Sequence, residues 1–197
     1  LMARKLATLP PRTRELASAA ACLGGSFPLA RLGLVLGAGE DAVVEHLQPA
    51  IEHGLLVAGT DGDAGGAAGQ YRFVHDRVQQ AAHALVPQSE RAALHRRIGL
   101  SLLNGLSAEE KLRHPFEIVD NLNAAPGFIE TEEQAIEFAQ LNLEAGRRAR
   151  LATAFRAAHD YFRRGIALLG PQHWQSRHEL AFALHAECFE CAYISGS

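Results

Sequence analysis

Three groupings in this 197-residue sequence carry residue types that could do chemistry. His75 and Asp76 stand side by side inside YRFVHDRVQQAAHALVP, Tyr71 to Pro87. An imidazole next to a carboxylate can move a proton, hold an anion or cap a helix. Cys188 and Cys191 form C-x-x-C with His185 three residues earlier, a set of ligand types that suits zinc. The glycines of TDGDAGGAAGQ, Thr60 to Gln70, could bring backbone amides close to a phosphate.

Each has a simpler reading. A phosphate-binding P-loop needs G-K-[ST], and the two lysines, Lys5 and Lys111, follow an arginine and a glutamate. The glycine-rich stretch therefore reads as a loop between strands. His185, Cys188 and Cys191 drift around a helix surface and have no second ligand pair nearby in sequence, so they read as small packed side chains and no metal site is expected. HELAFALH is not H-E-x-x-H, so no metalloprotease helix is implied. No nucleophile or metal partner accompanies His75, so no catalytic residue is assigned. Asp76 reads as the N-cap of the helix that follows, its carboxylate bonding amide donors near Gln79.

The elements that must position these residues follow from periodicity. After Pro10 and Pro11, Leu16, Ala19, Ala20 and Leu23 recur at helical spacing, and Gly24 and Gly25 end the run. PLARLGLVLG, with Pro28 near its first turn, predicts a second helix. EDAVVEHLQPAIEHG predicts a third, closed by Gly54 and kinked or split at Pro49. LLVAG and YRFV then read as two strands around the glycine-rich loop. Three helices followed by a two-stranded wing is the winged-helix order. From residue 77 the pattern is helical throughout. One helix ends before Pro87, and Ser89 caps the next, with Leu94, Ile98 and Leu102 on one face. HPFEIVDNLNAA is another, closed by Pro126 and Gly127. Thr131 and Gln134 form a T-x-x-Q capping box, and helices are expected over 131–149, 152–169 and 174–194. Gly146, Ala158, Phe162 and Gly165, with Pro171 beyond, nearly match a tetratricopeptide repeat, which sets small residues where its helices cross. The expected fold is thus mainly α: a winged-helix domain over 1–86, connecting helices over 87–127 and a tetratricopeptide-like solenoid over 128–197.

Bulk properties narrow the function. The formal net charge is −3 and 48% of residues are hydrophobic, so no overall field favours nucleic acid or an anionic membrane. No apolar run approaches the roughly 20 residues of a membrane span. Three cysteines and no secretory-type signal point to a reducing, cytoplasmic setting. The third helix, the groove-entering element of a DNA-binding winged helix, has no Lys or Arg over 39–54 and carries Glu40, Asp41, Glu45 and Glu52. A duplex would repel it. The basic runs RAALHRR and GRRAR fall on helices outside that unit and read as solvated faces. The chain starts at Leu1 and stops at Ser197 just after a helical run, and is read as a piece of a longer one.

The stretch YRFVHDRVQQAAHALVPQSERAALHRRIGLSLL resembles the segment after the ATPase core in large bacterial signalling proteins of the STAND class. There a serine/threonine kinase, an AAA-type ATPase, helical repeats, a GAF sensor and a histidine kinase share one chain. The resemblance extends through FEIVDNLNAA, LNLEAGRRARLATAFRAAHDYFRRGIALL and HWQSRHELAFALHAECFECAYISG, and begins as early as LPPRTRELASAAACLGGSFPL. In STAND ATPases more broadly, plant resistance proteins and the apoptosome ATPase among them, a winged helix packs on the nucleotide domain. Its last strand leads into a Met-His-Asp-like motif whose histidine reaches the β-phosphate of ADP and helps hold the closed, inactive state. Val74-His75-Asp76 stands at the matching place. Valine replaces methionine, so the match rests on His-Asp and its position.

The resemblance implies a regulatory arm that is not itself an enzyme. His75 would sense ADP or ATP held, with Mg, by an upstream nucleotide-binding domain, and no cofactor would be bound by this segment alone. The helical repeats would meet a protein partner or downstream sensor and kinase domains. Two rival readings are a DNA-binding regulator of the ATPase-activator type and an interaction scaffold with no nucleotide role.

Overall fold

The computed structural model describes residues 2–59, 69–125, 127 and 129–196. The chain forms two compact units, divided in sequence between Gly105 and Leu106. It is mainly helical with one small sheet.

In the first unit a short helix α1, Met2–Ala7, precedes α2, Pro11–Leu23. Pro11 opens α2 because proline lacks only a donor that the first turn leaves orphaned anyway. Leu16, Ala19, Ala20 and Leu23 are buried, as their spacing predicts. Gly24 ends the helix at φ +136°, a conformation a side chain would strain. Next come β1 (Ser26–Pro28), α3 (Leu29–Leu36), α4 (Glu40–Glu52), β2 (Leu56–Ala58) and β3 (Gln70–Phe73). The expected two-stranded wing is a three-stranded antiparallel sheet of order β1-β3-β2, in which Phe27 faces Tyr71 and Leu56 faces Phe73. Along β3, Tyr71 and Phe73 are buried while Arg72 is exposed, the period-two alternation read from YRFV. The loop residues 60–68, and with them most of the glycine-rich stretch, lie outside the described residues.

Two details of this unit refine the expectation. Of the kink or split expected at Pro49, the split is absent, since the proline lies inside α4, which runs on to Glu52. There it forgoes one i→i−4 bond and its ring crowds the carbonyl four residues back. Gly54 then closes the turn at φ +64°, its N–H donating to the Ile51 carbonyl (2.9 Å). Helix α5, Asp76–Ala84, is followed by α6, Gln88–Gly105. Ser89 is therefore inside the first turn of α6, two residues past the cap position. Ile98, Leu102 and Leu103 are buried, and α6 packs on α2 and α3. The first compact unit thus extends past the expected boundary at residue 86.

The second unit contains α7 (Ala108–Arg113), α8 (Pro115–Asn123), α9 (Glu132–Leu151), α10 (Phe155–Leu168), α11 (His173–Ser176) and α12 (His178–Ser195). Gly127, part of the expected closure of α8, has φ +89°, and Pro126 lies outside the described residues. The expected capping box is present. The Gln134 N–H donates to Thr131 Oγ1 (3.2 Å) and the Thr131 N–H donates to Gln134 Oε1 (3.3 Å). Thr131→Ala is expected to cost about 1 kcal/mol, read as a lower denaturant midpoint at unchanged slope.

Helices α9, α10 and α12 pack in series, and small residues set their closeness. A Cβ on Gly146 of α9 would overlap the Phe162 ring of α10. A Cβ on Gly165 of α10 would stand 2.6 Å from Leu184 Cδ2 of α12. Both large partners are fully buried. Among the described residues no helix is long and apolar enough to cross a membrane.

Candidate functional site

His75 sits where β3 turns into α5. Its backbone is extended (φ −155°, ψ 144°), and it, not Asp76, is the N-cap residue of the helix. The cap is made by backbone alone, since no side chain bonds the free amides. Asp76 is the first helical residue, one place beyond the cap position assigned to it from sequence. There its carboxylate complements the positive end of the helix dipole without capping it.

The joint is held from both sides. The Phe73 N–H donates to the Gly25 carbonyl (2.9 Å) and the Val74 N–H donates to the Leu55 carbonyl (3.1 Å). The His75 carbonyl accepts from the Val78 N–H (2.8 Å), which starts the helix. Further along α5, Gln79 Nε2 donates to the Ala21 carbonyl (3.0 Å) and Ala82 accepts from Ser18 Oγ (3.0 Å), so α5 is fastened to α2. His75 itself is exposed. Among the described residues its imidazole makes no hydrogen bond or ion pair. The arrangement presents a polar ring to the outside on a fixed backbone, with its hydrogen-bonding capacity unspent.

The first unit also has a groove of about 620 Å³ between α2, the α5–α6 turn and α6, lined by Pro11, Glu15, Leu85, Val86, Leu94 and Arg97 among others. It opens at the far end of α5, a helix of nine residues and roughly 13 Å, and so does not adjoin His75.

In the second unit the C-x-x-C residues point into packing. Cys191 is fully buried in the core formed with Phe162 and Leu184, and Cys188 packs against that cluster. Burial pushes both thiols up from their ordinary range. His185 instead places Nδ1 2.8 Å from its own Ala181 carbonyl, with its ring 4.9 Å from that of Trp174. The three do not converge on one point. A group that does converge, and that spacing along the chain does not announce, is Cys22, His83 and His95, from α2, α5 and α6.

The basic run GRRAR is engaged in ion pairs. Arg147 and Arg150 reach Glu187 (2.9 and 3.0 Å), and Arg148 reaches Glu144 (2.9 Å). These pairs lie at the surface and offset the local positive charge. On α4, Glu40, Asp41, Glu45 and Glu52 are all exposed, which keeps that surface acidic.

A second small cavity, in the second unit, is lined by Asp120, Asn123, Tyr161 and Arg164. Tyr161 Oη donates to Asp120 Oδ1 (2.6 Å). Burial raises the Asp120 carboxyl above its ordinary range, against the Tyr161 hydrogen bond and the Arg164 charge, which lower it. These residues tie α8 to α10.

No family model matches the chain, and no solved structure matches it. Among curated proteins it is similar to Hybrid signal transduction histidine kinase G of Dictyostelium discoideum, 26% identical over 152 aligned residues. The match covers 65% of this chain and 4% of that protein. The chain therefore spans a small fraction of the relative's length.

Proposed function

We propose that this chain is a regulatory segment of a signal-transduction protein kinase. Its first unit is a winged helix that senses nucleotide state through His75, and its second is a tetratricopeptide-like repeat that binds a protein partner. The observation that carries the reading is the His75 joint: an exposed imidazole without a partner among the described residues, on backbone fixed to both neighbouring strands. A group from another domain, such as a phosphate of ADP, finds there an unspent donor carried on a fixed backbone. A contact made in one state of the nucleotide and lost in the other gives the differential affinity a switch needs.

Three further facts support it. The order α2-β1-α3-α4-β2-β3, with β1 pairing on β3, suits a winged helix. The small residues at the α9–α10 and α10–α12 crossings suit paired repeat helices. The similarity to a signal transduction histidine kinase suits a place in such a chain. ATP or ADP with Mg would be held by a neighbouring domain, and this segment would catalyse nothing alone. Partner binding by the second unit is supported by α12, whose Phe182, Phe189, Tyr193 and Ile194 are exposed at 58, 74, 83 and 56%. Phe182, Phe189 and Tyr193 share one helix face by their spacing, and exposed apolar faces of that kind mark interaction surfaces.

The test is kinase output of the full-length protein carrying His75→Ala. The reading expects output in the absence of stimulus to rise, because the inactive state loses a contact. Output indistinguishable from the parent, with and without stimulus, would remove the sensing role. A DNA-binding role finds no support in the acidic exposed face of α4.

A further inference from the structure

We infer that Cys22, His83 and His95 form a binding site for one divalent transition-metal ion of the zinc type, joining α2, α5 and α6. This stands apart from the nucleotide reading, since it involves neither His75 nor another domain.

The geometry carries it. One ligand atom from each residue lies within 4.8 Å of the other two. The two imidazole nitrogens His83 Nε2 and His95 Nε2 are 3.3 Å apart. Two nitrogens each about 2.05 Å from a tetrahedral zinc stand about 3.3 Å from one another. The two rings share a hydrogen bond at this distance, and an ion that replaced its proton would find the nitrogens already at the spacing of a bound pair. Their rings are tilted by 46°, so the nitrogens meet by their tips and do not stack. A thiol and two imidazoles are the ligand types that select zinc and its neighbours over magnesium or calcium.

The surroundings favour the ligating form of His83 and oppose that of Cys22. All three residues are half-buried, shielded enough to strengthen the bonds and open enough to admit an ion. Burial holds His83 below the ordinary imidazole range, assisted by His95 and Arg91, so its ring is readily neutral. Burial pushes the Cys22 thiol up to about 11, opposed by Arg91. Metal entry must then displace the thiol proton to solvent, one proton per ion bound. Arg91 donates from Nε to the Val86 carbonyl (3.1 Å), and its charge favours the thiolate and the neutral imidazole, the two forms a metal needs. Three protein ligands leave a fourth tetrahedral position for water or an incoming group. Because α5 begins at the His75 joint, an ion here would stiffen the helix that carries it.

The experiment uses the purified chain with cobalt(II) as a spectroscopic probe and zinc(II) as competitor. One equivalent of cobalt is expected to give tetrahedral visible bands and a thiolate charge-transfer band, both abolished by zinc. Zinc is expected to raise the unfolding temperature by several degrees. Cys22→Ser should remove the charge-transfer band, and His95→Gln should weaken cobalt binding at least tenfold while leaving the fold measurable if the serine variant does not fold. A Cys188→Ser/Cys191→Ser double variant should keep the full signal. The inference is overturned if cobalt gives no thiolate band, if the band survives Cys22→Ser, or if it disappears with Cys188 and Cys191.

Discussion

Phe27→Ala is expected to remove about 3–5 kcal/mol from the stability of the first unit. Phe27 is 1% exposed at the centre of β1, with its ring centroid 6.2 Å from that of Tyr71 and 6.0 Å from that of Phe73. Deleting the ring forfeits its burial and leaves a cavity that three short strands cannot close. A domain of this size has about 5–15 kcal/mol in total, so a large share would go. The loss should show as a lower urea midpoint at unchanged slope. It should also reach the functional joint, because Phe73 donates its amide to Gly25, immediately before β1. Amide exchange at Phe73 and Val74 is expected to speed up, whereas Phe27→Leu should show a smaller change in both readouts. An unaltered midpoint in the alanine variant would mean that the sheet is not packed as described.

The second large effect belongs to Phe162. It is fully buried in α10, between Gly146 of α9 and the core that includes Leu184 of α12. Phe162→Ala should cost about 3–5 kcal/mol. Gly146→Ala should cost about 1–3 kcal/mol despite alanine's better helix propensity, because the new methyl overlaps the Phe162 ring. The pair makes a sharper statement than either variant. With the ring gone, the methyl enters free space, so Gly146→Ala is expected to become neutral or stabilising in the Phe162→Ala background. Urea denaturation of the four proteins measures this coupling directly. Additive losses would show that the two residues do not touch.

Much of this fold could be read from local pattern. The capping box at Thr131 and Gln134, the alternation in YRFV and the small residues at Gly146 and Gly165 each act within one element or one helix pair, where spacing dictates contact. The features that local pattern does not disclose have non-local causes. Strand β1 has three residues, one of them proline, and exists because β3 lies beside it. Helix α7 does carry a local sign, a second capping box in which Ser107 Oγ accepts from the Glu110 N–H (3.3 Å), but it is only six residues long. At the His75 joint the element types are legible while the cap shifts by one residue, because the backbone stays extended through His75, two residues past the end of β3. The cysteine and the two histidines of the inferred metal site come from three helices, and only tertiary packing brings them together.

The central claim is that His75 holds a nucleotide phosphate belonging to a neighbouring domain. It is tested most directly by the rate at which ADP leaves the full-length protein, His75→Ala compared with the parent. A hydrogen bond to a charged group contributes about 1.5–3 kcal/mol. Its loss should therefore speed ADP release by roughly 10- to 150-fold, with ATP release changed less. Equal release rates for ADP in the two proteins would contradict the account.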